Sequence, residues 1–110
     1  MVIAIFRSRQ RSESSDEYGP LADRMFDLAR SMPGFLAFKT FRAEDGERVS
    51  LIEFESDADL AAWRDHPEHK QAQQAGRNRF YSDYRLQVCQ PSRSVDFDGE
   101  TRRAEGAPSE

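Results

Sequence analysis

The stretch FLAFKTFRAEDGERVSLIEF, residues 35–54, decides the fold, because it reads as two strands joined by a tight turn. Residues 35–42 are rich in Phe, and residues 48–54 form a second run of strand-forming side chains. Asp45-Gly46 between the two runs is a strong signal for a hairpin turn. We therefore predict an antiparallel pair of strands in the middle of the chain.

The segment before this hairpin predicts one strand and one helix. Residues 2–10 read as a strand whose two faces are both apolar, since Val2 and Ala4 alternate with Ile3. From Tyr18 to residue 32 apolar side chains recur at spacings of three and four, which indicates an amphipathic helix. Pro33-Gly34 then ends that helix.

The segment after the hairpin predicts a second helical region and a last strand. Ser56 or Asp57 can cap a short helix, and Pro67 opens a further helix that runs to about residue 79. Residues 80–90 return to a strand with Leu86 on one face and Tyr81 on the other.

The resulting order, β-α-β-β-α-β, predicts an α+β ferredoxin-like domain with an antiparallel sheet and both helical regions on one face. The apolar residues on both faces of the first strand predict that the other face is covered as well. A twofold homodimer covers it by pairing two sheets, and a monomer with a hydrophobic ligand groove is the alternative. We assign this domain to residues 1–90 and a polar, flexible tail to residues 91–110.

Composition excludes several classes of function. The net charge is −4 with both signs interspersed and no basic stripe, which argues against a nucleic-acid partner. No run approaches the roughly 18 apolar residues of a membrane span, and the opening apolar run is too short for a signal-peptide core. The single cysteine, Cys89, allows no intrachain disulfide, so we expect a cytoplasmic protein.

Six short motifs follow one another in the last two thirds of the predicted domain. They are Pro33-Gly34-Phe35, Ile52-Glu53-Phe54-Glu55-Ser56, Trp63-Arg64-Asp65-His66-Pro67-Glu68-His69, Ala72-Gln73-Gln74-Ala75-Gly76-Arg77, Phe80-Tyr81 and Tyr84. In order and length, residues 1–90 resemble the antibiotic biosynthesis monooxygenase (ABM) domain superfamily.

The resemblance implies a dimeric α/β-barrel with a cavity between sheet and helices. Some relatives oxidise aromatic polyketides with dioxygen and no metal or flavin, while others degrade haem. The haem-degrading relatives carry an Asn on the first strand, and residues 2–8 contain none, which argues against haem degradation. We expect a cofactor-independent monooxygenase acting on a small aromatic or quinol-like molecule. The alternative is a non-catalytic dimeric module for small-molecule binding or assembly.

Three residues are candidates for catalysis. His66 could act as a general base near neutral pH, or it could cap the turn before Pro67. Arg77 and Tyr81 could hold an anionic oxygen, or they could form a surface ion pair and pack on the sheet. His66 and His69 form an H-x-x-H pair, but no further ligand cluster accompanies it, so we expect neither metal nor cofactor.

Four aromatic residues are candidates for substrate binding. Trp63 could form one wall of a pocket and offer its N–H as a donor, or it could seal helix to sheet. Phe38, Phe54 and Tyr84 could line a cavity for an aromatic molecule, or they could belong to the core or a dimer interface.

Overall fold

The fold is described by a computed structural model that covers residues 1–11 and 16–99 of the 110. Its helices and strands follow the predicted order, with the second helical region divided in two. The elements are β1 (Val2–Gln10), α1 (Tyr18–Ser31), β2 (Phe35–Arg42), β3 (Arg48–Phe54), α2 (Asp57–Arg64), α3 (Pro67–Ala75), a π-helical turn (Gly76–Phe80) and β4 (Tyr81–Cys89).

The four strands form one antiparallel sheet in the order β2-β3-β1-β4. This is the ferredoxin-like arrangement, in which the first and third strands lie side by side at the centre. The hairpin pairs Arg42 with Arg48, and Gly46 in its turn has a φ of +92°, a backbone conformation that glycine adopts easily. The sheet is open within one chain, so a closed barrel would need a second copy.

The core lies between one half of the sheet and the helices. Val2, Ala4, Ile52 and Phe54 project from the two central strands, and α1 and α2 cover them. The buried helix residues of this cluster are Leu28, Ala29, Leu60 and Trp63. Because all three helices lie on this face, we call it the inner face of the sheet.

Two local features differ from the sequence predictions. The helix that begins at Pro67 ends at Ala75, and a π-helical turn takes the chain to Phe80. In addition, a register shift between Arg9 and Gln10 interrupts the pairing of β1 with β4. Strict alternation would put Tyr81 on the face opposite Leu86, but beside this bulge Tyr81 lies on the inner face with it.

The described part of the tail, residues 91–98, contains no helix or strand, and its Val95 and Phe97 side chains are exposed. Residues 100–110 of the predicted tail lie outside the described residues. No helix in the described ranges has both the length and the apolar character needed to cross a membrane.

Candidate active site

A cavity of about 460 Å3 lies between the inner face of the sheet and the three helices. Phe26 of α1 and Phe38 of β2 line one side of it, with ring centroids 5.1 Å apart. Tyr84, Leu86 and Val88 of β4 line the other side and are 42%, 48% and 44% exposed. The cavity is therefore walled by aromatic rings and open to solvent along β4.

Trp63 forms the deep end of the cavity. Its ring stacks on Phe54 at 5.9 Å between centroids and meets Phe38 edge to face at 6.0 Å. The indole N–H is buried and has no hydrogen-bond partner among the described residues. A buried donor without an acceptor is energetically costly, so this N–H favours any ligand that brings an oxygen to it.

His69 stands beside Trp63, with the two ring centroids 4.3 Å apart and the planes at 73°. It lies in the first half of α3, where its ring points towards the cavity that it lines. Burial lowers the pKa of His69 to about 4, so the imidazole is neutral at physiological pH.

Gln73, one turn further along α3, fixes the tautomer of that imidazole. The Gln73 side-chain nitrogen lies 2.7 Å from His69 Nδ1 and 3.2 Å from the carbonyl oxygen of Arg64. A carbonyl oxygen can only accept, so the atom facing it is the amide N–H2. Its second hydrogen then goes to Nδ1, which leaves the imidazole proton on Nε2 and makes His69 a donor.

A pair of tyrosines lies across the cavity from β2. The hydroxyls of Tyr18 and Tyr81 are 3.1 Å apart, and their rings meet edge to face. Burial, followed by the hydroxyl of Tyr18, raises the pKa of Tyr81, so this phenol remains protonated. Either hydroxyl of the pair can donate to the other. The guanidinium of Arg48 lies over the ring of Tyr18, 5.6 Å from its centroid.

The π-helical turn determines where Tyr81 lies. Its first residue is Gly76, and a Cβ added there would come within 2.7 Å of the Tyr81 ring, so the ring occupies space that only glycine leaves open. Arg11 donates to the carbonyl oxygens of Arg77, Asn78 and Tyr81 at 3.0–3.2 Å. These bonds satisfy carbonyls at the end of the turn and tie it to the end of β1.

The predicted site residues divide into two groups. Trp63, Tyr81, Phe38 and Tyr84 line the same cavity, and Phe54 lies fully buried beneath Trp63. His66 and Arg77 do not line it. His66 caps α3, with its Nδ1 accepting a hydrogen bond of 3.1 Å from the backbone N–H of Glu68, and the side chain of Arg77 is exposed.

Several cavity residues were not among the site residues selected from the sequence, and His69 is one of them although it was considered with His66 as a possible general base. The sequence could have identified His69 as a cavity residue, since it lies inside a helix that Pro67 begins, whereas His66 precedes that proline. Tyr18, Arg48 and Ser8 gave no signal, because they come from separate elements that only the complete fold brings together. Across residues 1–11 and 16–99, no group of three or more His, Cys, Asp or Glu side chains converges as metal ligands would.

The chain is therefore an α+β protein with an open ferredoxin-like sheet and an aromatic cavity between that sheet and the helices. The family model for antibiotic biosynthesis monooxygenase matches residues 1–75, and the chain therefore belongs to the ABM family. It is 34% identical over 98 residues to the uncharacterized protein YqjZ of Bacillus subtilis (strain 168), a match that covers 89% of this chain and 86% of that one.

Solved structures agree with this assignment at the level of the fold. Rv0793 from Mycobacterium tuberculosis has a TM-score of 0.76 and 20% identity, covering 86% of this chain and 98% of its own. SnoaB from Streptomyces nogalater, described as a cofactor-independent oxygenase, has a TM-score of 0.71 and 14% identity, covering 86% and 95%.

Proposed function

We propose that the protein is a cofactor-independent monooxygenase whose substrate is a small aromatic or quinol-like molecule. The observation that carries this proposal is the aromatic cavity of about 460 Å3, lined by Trp63, whose indole N–H has no hydrogen-bond partner among the described residues. A cavity of this size takes a flat molecule of a few rings. Membership of the ABM family and the likeness to SnoaB support the same reading.

The polar groups of the cavity are suited to stabilise an oxyanion. Trp63 and His69 in its Nε2–H tautomer are neutral donors, and the Tyr18–Tyr81 hydroxyl pair keeps one further O–H that can donate. Neutral donors that line an apolar cavity favour negative charge on a ligand oxygen. The ring nitrogen of His69 that could accept a proton is occupied by Gln73. We therefore expect a substrate acidic enough to reach the cavity as a phenolate or enolate.

The reaction balances without a cofactor when the substrate supplies the electrons. The enolate of an aromatic ketone gives electrons from its ring to dioxygen, and a new C–O bond forms at the activated CH2 carbon. One oxygen atom remains as the new carbonyl, while the other leaves as water with the two hydrogens of the CH2 group. The four electrons lost by that carbon equal the four gained by dioxygen.

Oxygen uptake with an anthrone-type ketone tests the proposal. Labelled dioxygen should place one labelled atom in the quinone product in the presence of a metal chelator. We expect Trp63→Phe and His69→Phe each to lower kcat/KM by about tenfold to a hundredfold, because each removes one donor to the oxyanion.

The matched control is His66→Ala, which changes a neighbouring histidine that does not line the cavity. It should retain the wild-type rate. Oxygen uptake no faster than the uncatalysed reaction, across anthrones and hydroquinones, would remove the oxygenase proposal.

We further propose that the protein is a homodimer through the outer face of the sheet, which carries Ile3, Ile5, Val49 and Leu51. The strand registers put these side chains next to one another, Ile5 directly opposite Leu51, on the face that no described helix covers. Burying such a face against its copy suits a twofold assembly. Light scattering should give twice the chain mass, and Leu51→Lys should give the monomer; a monomeric wild-type protein would contradict this.

A further inference from the structure

A second cleft of about 320 Å3 adjoins the aromatic cavity at the hairpin end of the sheet, with Arg48 lining both. Its walls are polar, in contrast to those of the cavity. They consist of Arg9, Gln10, Arg42, Asp45, Gly46, Arg48 and Ser82.

Two of the arginines are directly opposed. The register of the hairpin pairs Arg42 with Arg48, so both side chains leave the same face of neighbouring strands, roughly 5 Å apart at their Cβ atoms. Like charges in this position destabilise a sheet. Among the described residues no carboxylate forms an ion pair with either guanidinium.

The acidic residue that lines this cleft is already engaged. Asp45 lines the cleft, but its carboxylate accepts a bond of 2.8 Å from Arg9, whose guanidinium also bonds the Asp45 backbone oxygen at 3.2 Å. That ion pair leaves two uncompensated positive charges, those of Arg42 and Arg48, in the cleft. A planar guanidinium binds carboxylates and related oxyanions through paired N–H bonds.

Gln10 supplies an independent observation. Its side-chain amide nitrogen is buried and has no hydrogen-bond partner among the described residues, and Gln10 is one of the residues that line this charged cleft. An amide N–H2 group can only donate, so it lacks an acceptor in the same place where two guanidiniums lack an anion. Such an orphaned donor is uncommon in folded proteins and calls for a partner.

We propose that this cleft is a subsite for an anionic oxygen group, a carboxylate or sulfonate, carried by the aromatic molecule in the neighbouring cavity. The subsite rests on the proposed function, because it assigns an anionic substituent to the same substrate. Arg48 connects the two regions, since it lines both the cavity and the cleft and its guanidinium lies over the ring of Tyr18. The substrate class is then aromatic acids rather than neutral aromatics.

Two fluorescent probes separate the anion from the aromatic rings. 8-Anilino-1-naphthalenesulfonate and N-phenyl-1-naphthylamine share one ring skeleton and differ by the sulfonate. We expect the sulfonate to bind the full-length protein about tenfold more tightly, as one charge-assisted contact would give. Added salt should weaken the sulfonate and leave the neutral probe unchanged.

Arg42→Gln is the decisive variant, because Arg42 lines the cleft but not the aromatic cavity. It should remove most of the preference for the sulfonate, severalfold in affinity, and leave binding of the neutral probe unchanged. Lys70→Gln removes one positive charge from an exposed position on α3 and serves as the matched control, with both affinities unchanged.

Gln10→Leu gives a second and independent measurement. Because the amide donor has no partner within residues 1–11 and 16–99, its removal should not lower the unfolding midpoint, yet it should weaken binding of the sulfonate. A clear loss of stability would mean that Gln10 is paired in the free protein, which would take it out of the subsite.

The two proposals fail in different ways. If the neutral probe binds and the sulfonate gains nothing, or Arg42→Gln weakens both probes equally, the anionic subsite is wrong and the aromatic cavity stands. If neither probe binds, the cavity does not admit flat aromatics, and the subsite is wrong together with the proposed function.

Discussion

The inner face of the sheet has two halves of similar composition. One half packs beneath the helices, and the other half lines the cavity. On the packed half, Val2 and Phe54 are almost fully buried beneath the helices. On the cavity half, Leu86 and Val88 of β4 are 48% and 44% exposed and line the cavity. Both halves carry large apolar side chains, so composition alone does not distinguish core from binding site.

The difference comes from where the helices stop. α1 and α2 close over the packed half, whereas α3 gives way to the π-helical turn beside the cavity half. That turn returns the chain to the sheet at Phe80 and directs Tyr81 inward. Helix length and register therefore decide which apolar residues stabilise the fold and which remain available to a ligand.

The sharpest test of this comparison replaces one large side chain in each half. Phe54→Ala should lower the free energy of unfolding by about 3–5 kcal/mol, because a fully buried ring leaves a cavity. Leu86→Ala should cost less than about 1 kcal/mol, since its side chain is half exposed. Urea denaturation at a fixed protein concentration measures both.

Leu86→Ala has the smaller expected effect on stability, but we expect it to have the larger effect on ligand affinity. Leu86→Ala should weaken N-phenyl-1-naphthylamine by severalfold, because it removes part of the cavity wall. Equal losses of stability in the two variants would contradict the division of the inner face into a packed half and a cavity half.

Most of the fold was predictable because its signals are local. Alternation gave β1, β2 and β3 their bounds, and Asp45-Gly46 gave the hairpin. The end of α3 was not predictable in this way, since residues up to 79 continue a helical pattern and only the π-helical turn reveals the change. The bulge beside Gln10 was not predictable either, because a register shift depends on the partner strand.

The candidate site was predictable only in part. Trp63 and Phe38 belong to apolar patterns and line the cavity as the sequence indicated. The choice between His66 and His69 depended on rotation about α3, which Pro67 determines by starting the helix between them. The place of Arg48 in the cavity could not be predicted from the sequence, since its neighbour Tyr18 lies thirty residues earlier in the chain.

A pH series tests the boundary between the two halves, where His69 contacts Trp63. The unfolded chain protonates His69 near pH 6.5 and the folded chain only near pH 4, so the free energy of unfolding should fall as the pH drops through that window. The full loss is about 3.5 kcal/mol, since the two pKa values differ by about 2.5 units and one unit corresponds to roughly 1.4 kcal/mol.

His69→Phe keeps a ring at the position and removes the titrating group. Its stability should depend less on pH between 6.5 and 4 than that of the wild-type protein. Parallel pH curves for the two proteins would mean that His69 is accessible to water, which would extend the open half of the inner face as far as Trp63.

A smaller effect on stability than at His69 is expected at His66, which lies three residues before it and outside both halves. His66→Ala removes the side chain that accepts the N–H of Glu68 at the start of α3, and loss of such a cap costs about 1 kcal/mol. His66→Asn should recover most of that stability, because Asn also caps helices well. Neither change should affect binding of N-phenyl-1-naphthylamine, since the ring does not line the cavity. A loss of binding that Asn does not restore would mean that His66 contacts the bound probe, which would place the cavity boundary one helical turn earlier.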